Sequence, residues 1–93
     1  MNYKIDIKKS ALKDLNKIPN IYAEKIRNII NNELTVNPYQ PYQKIKKIFE
    51  PIIGYRYKVP PYRIIYHVNE ENKLVKIHKI KHRKNSYKRF GMF

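Results

Sequence analysis

The stretch that decides the fold is Gly54-Tyr-Arg-Tyr-Lys-Val-Pro-Pro-Tyr-Arg-Ile-Ile-Tyr66. It contains two runs in which apolar and polar residues alternate, the pattern of half-buried β-strands. Pro60 and Pro61 stand between the runs, and neither can donate a backbone hydrogen bond to a β-ladder. The sequence therefore predicts a β-hairpin with the two prolines as its turn.

This turn determines which residues of the hairpin lie opposite each other. With the two prolines at the tip, Lys58 opposes Arg63 and Arg56 opposes Ile65, and paired side chains point to the same face. Three cations thus share one face, while the tyrosines lie on the other, where helices can cover them. Like charges that oppose each other destabilise a sheet, which suggests a compensating gain such as anion binding. The alternative is the solvated polar face of a half-buried sheet.

Patterns on both sides of the hairpin predict the remaining elements. Residues 2–8 alternate as a strand does, and Ser10 is a candidate N-cap for a short helix. A second helix is predicted after Pro19 from apolar residues at helical spacing, namely Ile26, Ile29, Ile30 and Leu34. Residues 37–51 contain three prolines and are predicted to be mostly loop. A last strand is expected at residues 74–80, and a basic tail follows from Lys81.

These elements run β-α-α-β-β-β and predict one domain of the α+β class that spans residues 1–93. A helical hairpin is expected to pack on one face of an antiparallel sheet, as a two-layer sandwich. The N-terminal strand is expected to add to that sheet.

The charge of the chain indicates its partners. Lys and Arg number 21 against 7 Asp and Glu, a formal net charge of +14, which favours nucleic acid first and an acidic protein second. The absence of cysteine excludes disulfides and thiolate metal sites and fits a reducing cytosol. No apolar run approaches the roughly 20 residues of a membrane span, and the N-terminus does not resemble a signal peptide. We therefore expect a cytoplasmic protein.

The end of the last strand suggests a chemistry. His82, Arg83 and Lys84 follow one another there, and Tyr87 comes four residues after Arg83. RNA supplies its own nucleophile, the 2′-hydroxyl, so a protein that cuts it needs positioning, a base, an acid and positive charge at the phosphate. The sequence has no carboxylate pair, metal-ligand cluster or glycine-rich phosphate loop. RNA cleavage driven by cations is the enzymatic chemistry that remains.

Three segments, taken in order, resemble the RelE/ParE superfamily of toxins from type II toxin–antitoxin systems. They are the hairpin block 54–66, the closing Ile80-Lys-His-Arg-Lys-Asn-Ser-Tyr-Lys-Arg-Phe90, and the early Lys-x-Leu-x-x-Ile-Pro at residues 13–19. The ParE branch shares the fold, poisons DNA gyrase and lacks the nuclease residues. Retention of Lys58, Arg63, Arg83 and Tyr87 favours the RelE branch.

The resemblance implies a ribosome-dependent endoribonuclease that cuts translated messenger RNA without a metal or a cofactor. The product would carry a 2′,3′-cyclic phosphate and leave a 5′-hydroxyl. The implied partners are messenger RNA in the ribosomal A site, ribosomal RNA and an acidic RelB-like antitoxin, with neither a membrane nor a small-molecule substrate.

The resemblance also implies roles for the residues of the hairpin. Arg56 and Lys58 fall where the RNA-cutting members carry a basic pair, and Arg63 falls on the position that contacts the scissile phosphate. The best-known members have lysine at both positions of the pair, so Arg56 is a departure. Because arginine stays protonated, Lys58 is the better candidate for the general base.

Further roles are implied for the segment after the last strand. Arg83 matches the cation that stabilises the transition state or acts as the acid, and His82 is a second candidate acid. Tyr87 matches the tyrosine that stacks on or orients the substrate, although it stands closer to the arginine here than in the best-known members. RNA-binding lysines are expected at Lys44, Lys46, Lys47 and Lys84.

Two alternatives remain open from the sequence. One is a gyrase-directed toxin on the same fold, which would damage DNA and cut no transcripts. The other is a basic RNA-binding module without catalysis, whose affinity for RNA would fall steeply with salt.

Overall fold

The computed structural model describes residues 2–83. The elements are β1 (Lys4–Ile7), α1 (Lys9–Lys17), α2 (Asn20–Ile29), a π-helical turn (Ile30–Leu34), β2 (Ile45–Ile48), β3 (Gly54–Val59), β4 (Tyr62–Asn69) and β5 (Leu74–His82). None of the helices within these residues is long and apolar enough to cross a membrane.

The five strands form one sheet in the order β1-β5-β4-β3-β2. β1 runs parallel to β5, and the other neighbours are antiparallel. The predicted α+β fold is confirmed, and the first strand joins the sheet as expected. The prediction that residues 37–51 are mostly loop was wrong for β2, because the three prolines flank this four-residue edge strand rather than interrupt it.

Both helices and the π-helical turn pack on a single face of the sheet. The apolar residues predicted for the second helix are all buried, as are Tyr57, Ile64, Tyr66 and Ile77 on the facing strands. Tyr66 is fully buried, and its hydroxyl donates a hydrogen bond to the carbonyl oxygen of Pro38 at 2.6 Å. The helical layer therefore leaves the opposite face of the sheet open.

Helix α1 is attached to β5 by side-chain hydrogen bonds. The Ser10 hydroxyl donates to the carbonyl oxygen of His78 at 2.9 Å, and the Asp14 carboxylate accepts from the backbone N–H of Ile80 at 2.9 Å. The prediction that Ser10 caps this helix was wrong, because the helix begins at Lys9 and Ser10 lies in its first turn.

Gly54 begins β3 at a point where β3 and β4 approach closely. A Cβ atom at this position would overlap the backbone carbonyl oxygen of Tyr66. The crowding atom belongs to the backbone of the neighbouring strand, so it cannot rotate away as a side chain would.

We predict that Gly54→Ala lowers the free energy of unfolding by about 1–3 kcal/mol, the usual cost of overpacking. Urea denaturation of the purified protein measures this, with Ile53→Ala as the control because the Ile53 side chain is 66% exposed. Equal stability of the Gly54→Ala variant and the control would contradict the close approach.

A second constraint lies directly after β4, where Glu70 joins three segments of the chain. Its carboxylate accepts hydrogen bonds from the hydroxyls of Tyr39 and Tyr3 and from the ammonium of Lys73, the last at 3.0 Å. The hydrogen bonds from Tyr39, Lys73 and Tyr3 lower the pKa of Glu70 from 4.5 to about 2. The ionised carboxylate is therefore the form that the fold favours.

A carboxyl whose pKa is depressed in the folded state stabilises the fold above its unfolded pKa. This contribution is lost as the pH falls from 4.5 to about 2. We predict that Glu70→Gln lowers the melting temperature at neutral pH and that the gap to the wild type narrows across this acid range. Melting curves at several pH values test this, with Glu71→Gln as the control, and a gap independent of pH would refute it.

Candidate nucleic-acid interface

The hairpin has the register that its diproline turn predicts. Lys58 pairs with Arg63 and Arg56 pairs with Ile65 across β3 and β4. Tyr57 and Ile64 are buried under the helices. Because side chains alternate between the two faces of a strand, Arg56, Lys58 and Arg63 point to the open face. The prediction of three cations on one face is confirmed.

The three cations differ in exposure. Lys58 is exposed, whereas Arg56 and Arg63 are half-buried. Burial, and then the positive charge of Arg63, lower the pKa of Arg56. An arginine nevertheless keeps its proton in a protein, so Arg56 is a fixed positive charge on this face.

A backbone hydrogen bond positions Arg83 beside the hairpin turn. The Arg83 N–H donates a hydrogen bond to the carbonyl oxygen of Pro61 at 2.8 Å, which holds the end of β5 against the hairpin turn. Arg83, Lys58 and Arg63 consequently line one open cavity of about 280 Å³, which we call the phosphate pocket. The structure thus brings together three of the predicted catalytic residues.

A wider cavity of about 440 Å³, which we call the groove, adjoins the phosphate pocket and shares Lys58 and Arg63 with it. Arg56 lines the groove, and so does Lys46, which pairs with Arg56 from β2. Fixed cations arranged in this way can bind phosphodiesters and stabilise negative charge that develops on them.

Two other predicted RNA-binding lysines lie in β2 or directly before it. Lys47 also borders the groove, and its ammonium lies 5.9 Å from the centroid of the Phe49 ring. Lys44 precedes the strand, and its carbonyl oxygen accepts a hydrogen bond from the Lys58 N–H at 2.8 Å. Lys84 lies outside the described residues.

His82 is the predicted site residue that the structure places apart from the others. It pairs with Tyr62 across β4 and β5, and its ring meets the Tyr62 ring edge to face, with centroids 5.0 Å apart. Tyr62 belongs to the buried face, so the His82 imidazole lies on the helical side of the sheet rather than on the open face. Tyr87 lies outside the described residues.

Comparison with known proteins identifies the family. Residues 5–87 match the family described as the ParE toxin of the type II toxin–antitoxin system, parDE. The chain belongs to the RelE/ParE toxin superfamily. Over 90 residues it is 31% identical to a protein of Methanocaldococcus jannaschii named as toxin RelE1, which covers 95% of this chain and 98% of that protein.

Solved structures agree with this membership of the RelE/ParE superfamily. The archaeal RelE–RelB complex from Pyrococcus horikoshii contains a chain with a TM-score of 0.74 at 27% identity, covering 89% of this chain and 97% of that one. The RelB–RelE antitoxin–toxin complex from Methanococcus jannaschii gives a TM-score of 0.73 at 29% identity, covering 91% and 98%. Together with the RelE1 relative, these matches place the toxin in the RelE-like branch.

One cation of this toxin's open face was missed in the sequence, where β5 was expected to end at Ile80. The strand continues to His82, and Lys81 pairs directly with Arg63 and borders the groove. The sequence carries no signal for this extension, because every residue from Lys81 to Ser86 is polar and the alternation stops at Ile80. The pairing with β4 is what extends the strand.

The opposed cations should cost the toxin stability, because like charges paired across strands repel. We predict that Lys58→Met raises the melting temperature at low salt and that the gain shrinks at high salt, where exposed charges are screened. Thermal melting at two ionic strengths measures this. Lys76→Met is the matched control, because Lys76 lies near Asp6 at 3.9 Å and its loss removes an attraction. A gain that does not depend on salt would contradict the repulsion.

Proposed function

We propose that this toxin is a ribosome-dependent, metal-independent endoribonuclease that cuts messenger RNA. The observation that supports this is the meeting of Lys58, Arg63 and Arg83 around one open pocket, although they come from three separate strand ends. A pocket lined by cations suits a phosphodiester, and RNA brings the nucleophile that such a pocket does not supply.

In the proposed reaction the 2′-oxygen of the RNA attacks the adjacent phosphorus, and the bond from phosphorus to the 5′-oxygen breaks. The products are a 2′,3′-cyclic phosphate and a 5′-hydroxyl. Lys58 is proposed as the general base that accepts the proton of the 2′-hydroxyl, and Arg63 contacts the scissile phosphate. Arg83 stabilises the negative charge that grows during attack. It is also the first candidate for the acid, because the departing 5′-oxygen is basic enough to take a proton even from a guanidinium.

The remaining candidate residues have different proposed roles. Arg56 binds phosphate rather than acting as a base, since it keeps its proton. Tyr87 is proposed to stack on a base beside the cut bond, as aromatic rings do with single-stranded RNA. His82 is the weaker candidate for the acid, because its ring lies on the helical side of the sheet.

The cationic open face also suggests the macromolecules that this toxin binds. The structures from Pyrococcus and Methanococcus are complexes of RelE with RelB, so we propose that an acidic RelB-like antitoxin neutralises this chain. A net charge of +14 favours both that antitoxin and ribosomal RNA. We propose that the ribosomal RNA backbone is bound by Lys44, Lys46, Lys47 and Lys84. The substrate is messenger RNA in the ribosomal A site, and the toxin acts in the cytoplasm.

We predict that induction of the toxin in a bacterial host produces discrete new messenger-RNA 5′ ends inside translated codons. Arg83→Ala and Arg63→Ala should each reduce this cutting by about 10²-fold or more, the usual effect of removing one group that stabilises the transition state. Lys76→Ala, which removes a cation of the same sheet outside both cavities, serves as the matched control and should cut as the wild type does.

Other outcomes would contradict the proposal. Growth arrest with DNA damage and no new 5′ ends would identify a gyrase-directed toxin. Neither arrest nor cuts, together with RNA binding that falls steeply with salt, would identify a basic binding module. Equal loss of cutting in Lys76→Ala and Arg83→Ala would show that overall charge, not the phosphate pocket, is responsible.

A further inference from the structure

The open face carries a row of three cations that crosses the strands. Lys81 on β5 pairs with Arg63 on β4, and Arg63 pairs with Lys58 on β3. Neighbouring strands lie about 4.8 Å apart, so the row extends about 10 Å from one end to the other. Lys58 and Arg63 belong to the phosphate pocket, whereas Lys81 lies beyond it in the groove.

The composition of the groove suits a nucleotide. Six of its lining residues are lysine or arginine and one, Glu50, is acidic. Ile65 also lines the groove and is only 4% exposed, so it provides an apolar floor between cationic walls. A nucleotide has a matching division, with an apolar face on the base and a negative charge on the phosphate.

The groove and the phosphate pocket share two of their walls, Lys58 and Arg63. A polymer with its scissile phosphate in the pocket would therefore place an adjoining unit in the groove. RNA carries one negative charge in every unit, so the adjoining unit brings a second phosphate to the cations there.

We propose that Lys81, together with Arg56 and Lys46, forms a second phosphate subsite that holds the phosphodiester next to the scissile one in single-stranded RNA. The inference rests on the proposed function for the identity of the substrate. Lys81 acts in binding and takes no part in proton transfer. The second phosphate then lies over Ile65, which is two residues along β4 from Arg63, with Lys81 on one side and Arg56 on the other.

A binding measurement without cleavage tests this subsite. The probe is a short fluorescent single-stranded RNA with 2′-O-methyl groups throughout, which removes the nucleophile. Fluorescence anisotropy gives its Kd for the full-length toxin at several salt concentrations. Each phosphate contact on single-stranded nucleic acid contributes about 0.7 to the slope of log Kd against log salt concentration.

We predict that Lys81→Gln reduces this slope by about 0.7 and weakens binding at low salt, and that Lys81→Arg retains the wild-type slope. Lys76→Gln is the matched control, because it removes one positive charge from the same strand and the same face, outside the groove. Its slope should equal that of the wild type. Far-UV circular dichroism checks that each variant is folded, and Lys81→Met is the substitute if Lys81→Gln is not.

Three results would overturn the inference. The first is equal slopes for Lys81→Gln and Lys76→Gln, which would reduce Lys81 to general surface charge. The second is an equal loss of slope in Lys81→Arg, which would indicate a structural role. The third is polyglutamate binding with the affinity and the Lys81 dependence of RNA, which would assign the row to an acidic protein.

This test is independent of the cleavage assay. If the wild type makes no messenger-RNA cuts but Lys81→Gln lowers the salt slope, the proposed nuclease fails and the subsite stands. If cuts are made and the slopes of the two Gln variants agree, the nuclease stands and the subsite fails.

Discussion

The arrangement of the open face depends on the cross-strand pairing of Lys58 with Arg63. The pairing follows from the diproline turn, since two residues that cannot donate to a ladder leave Val59 and Tyr62 as the first pair. Every later pair in the hairpin then alternates between the two faces, so a shift of one residue would send the cations under the helices. The same register therefore sets both the core and the candidate site.

Opposed cations oppose folding, and the buried face supplies the compensation. Tyr57 and Tyr66 fill the space between sheet and helices, and each hydroxyl has a partner. The Tyr57 hydroxyl donates to the Glu33 carboxylate at 2.5 Å, and that of Tyr66 donates to the Pro38 carbonyl. Buried rings with satisfied hydroxyls contribute strongly to a thin core. One face is thereby packed for stability, and the other remains available for a polyanion.

The site is assembled by tertiary contacts at the ends of strands. Arg83 stands twenty residues after Arg63, and the hydrogen bond from its N–H to Pro61 brings the two together. The antiparallel register of β4 and β5 adds Lys81 to the row, and β2 adds Lys46 beside Arg56. Four strands therefore contribute cations to adjoining cavities. In the proposed function, these cations contact the RNA backbone at the scissile phosphate and at the phosphate next to it.

The sequence by itself determined the α+β class, the hairpin register and the face on which Arg56, Lys58 and Arg63 lie. These features follow from local alternation and from the chemistry of proline, and the family resemblance agreed with them. Only the tertiary structure decided that β2 exists, that Lys81 joins the row and that His82 lies on the helical side. The reason is physical. An edge strand of four residues and the last two residues of β5 are defined by the neighbouring strands with which they pair, and their own sequence has too little periodicity to indicate a strand.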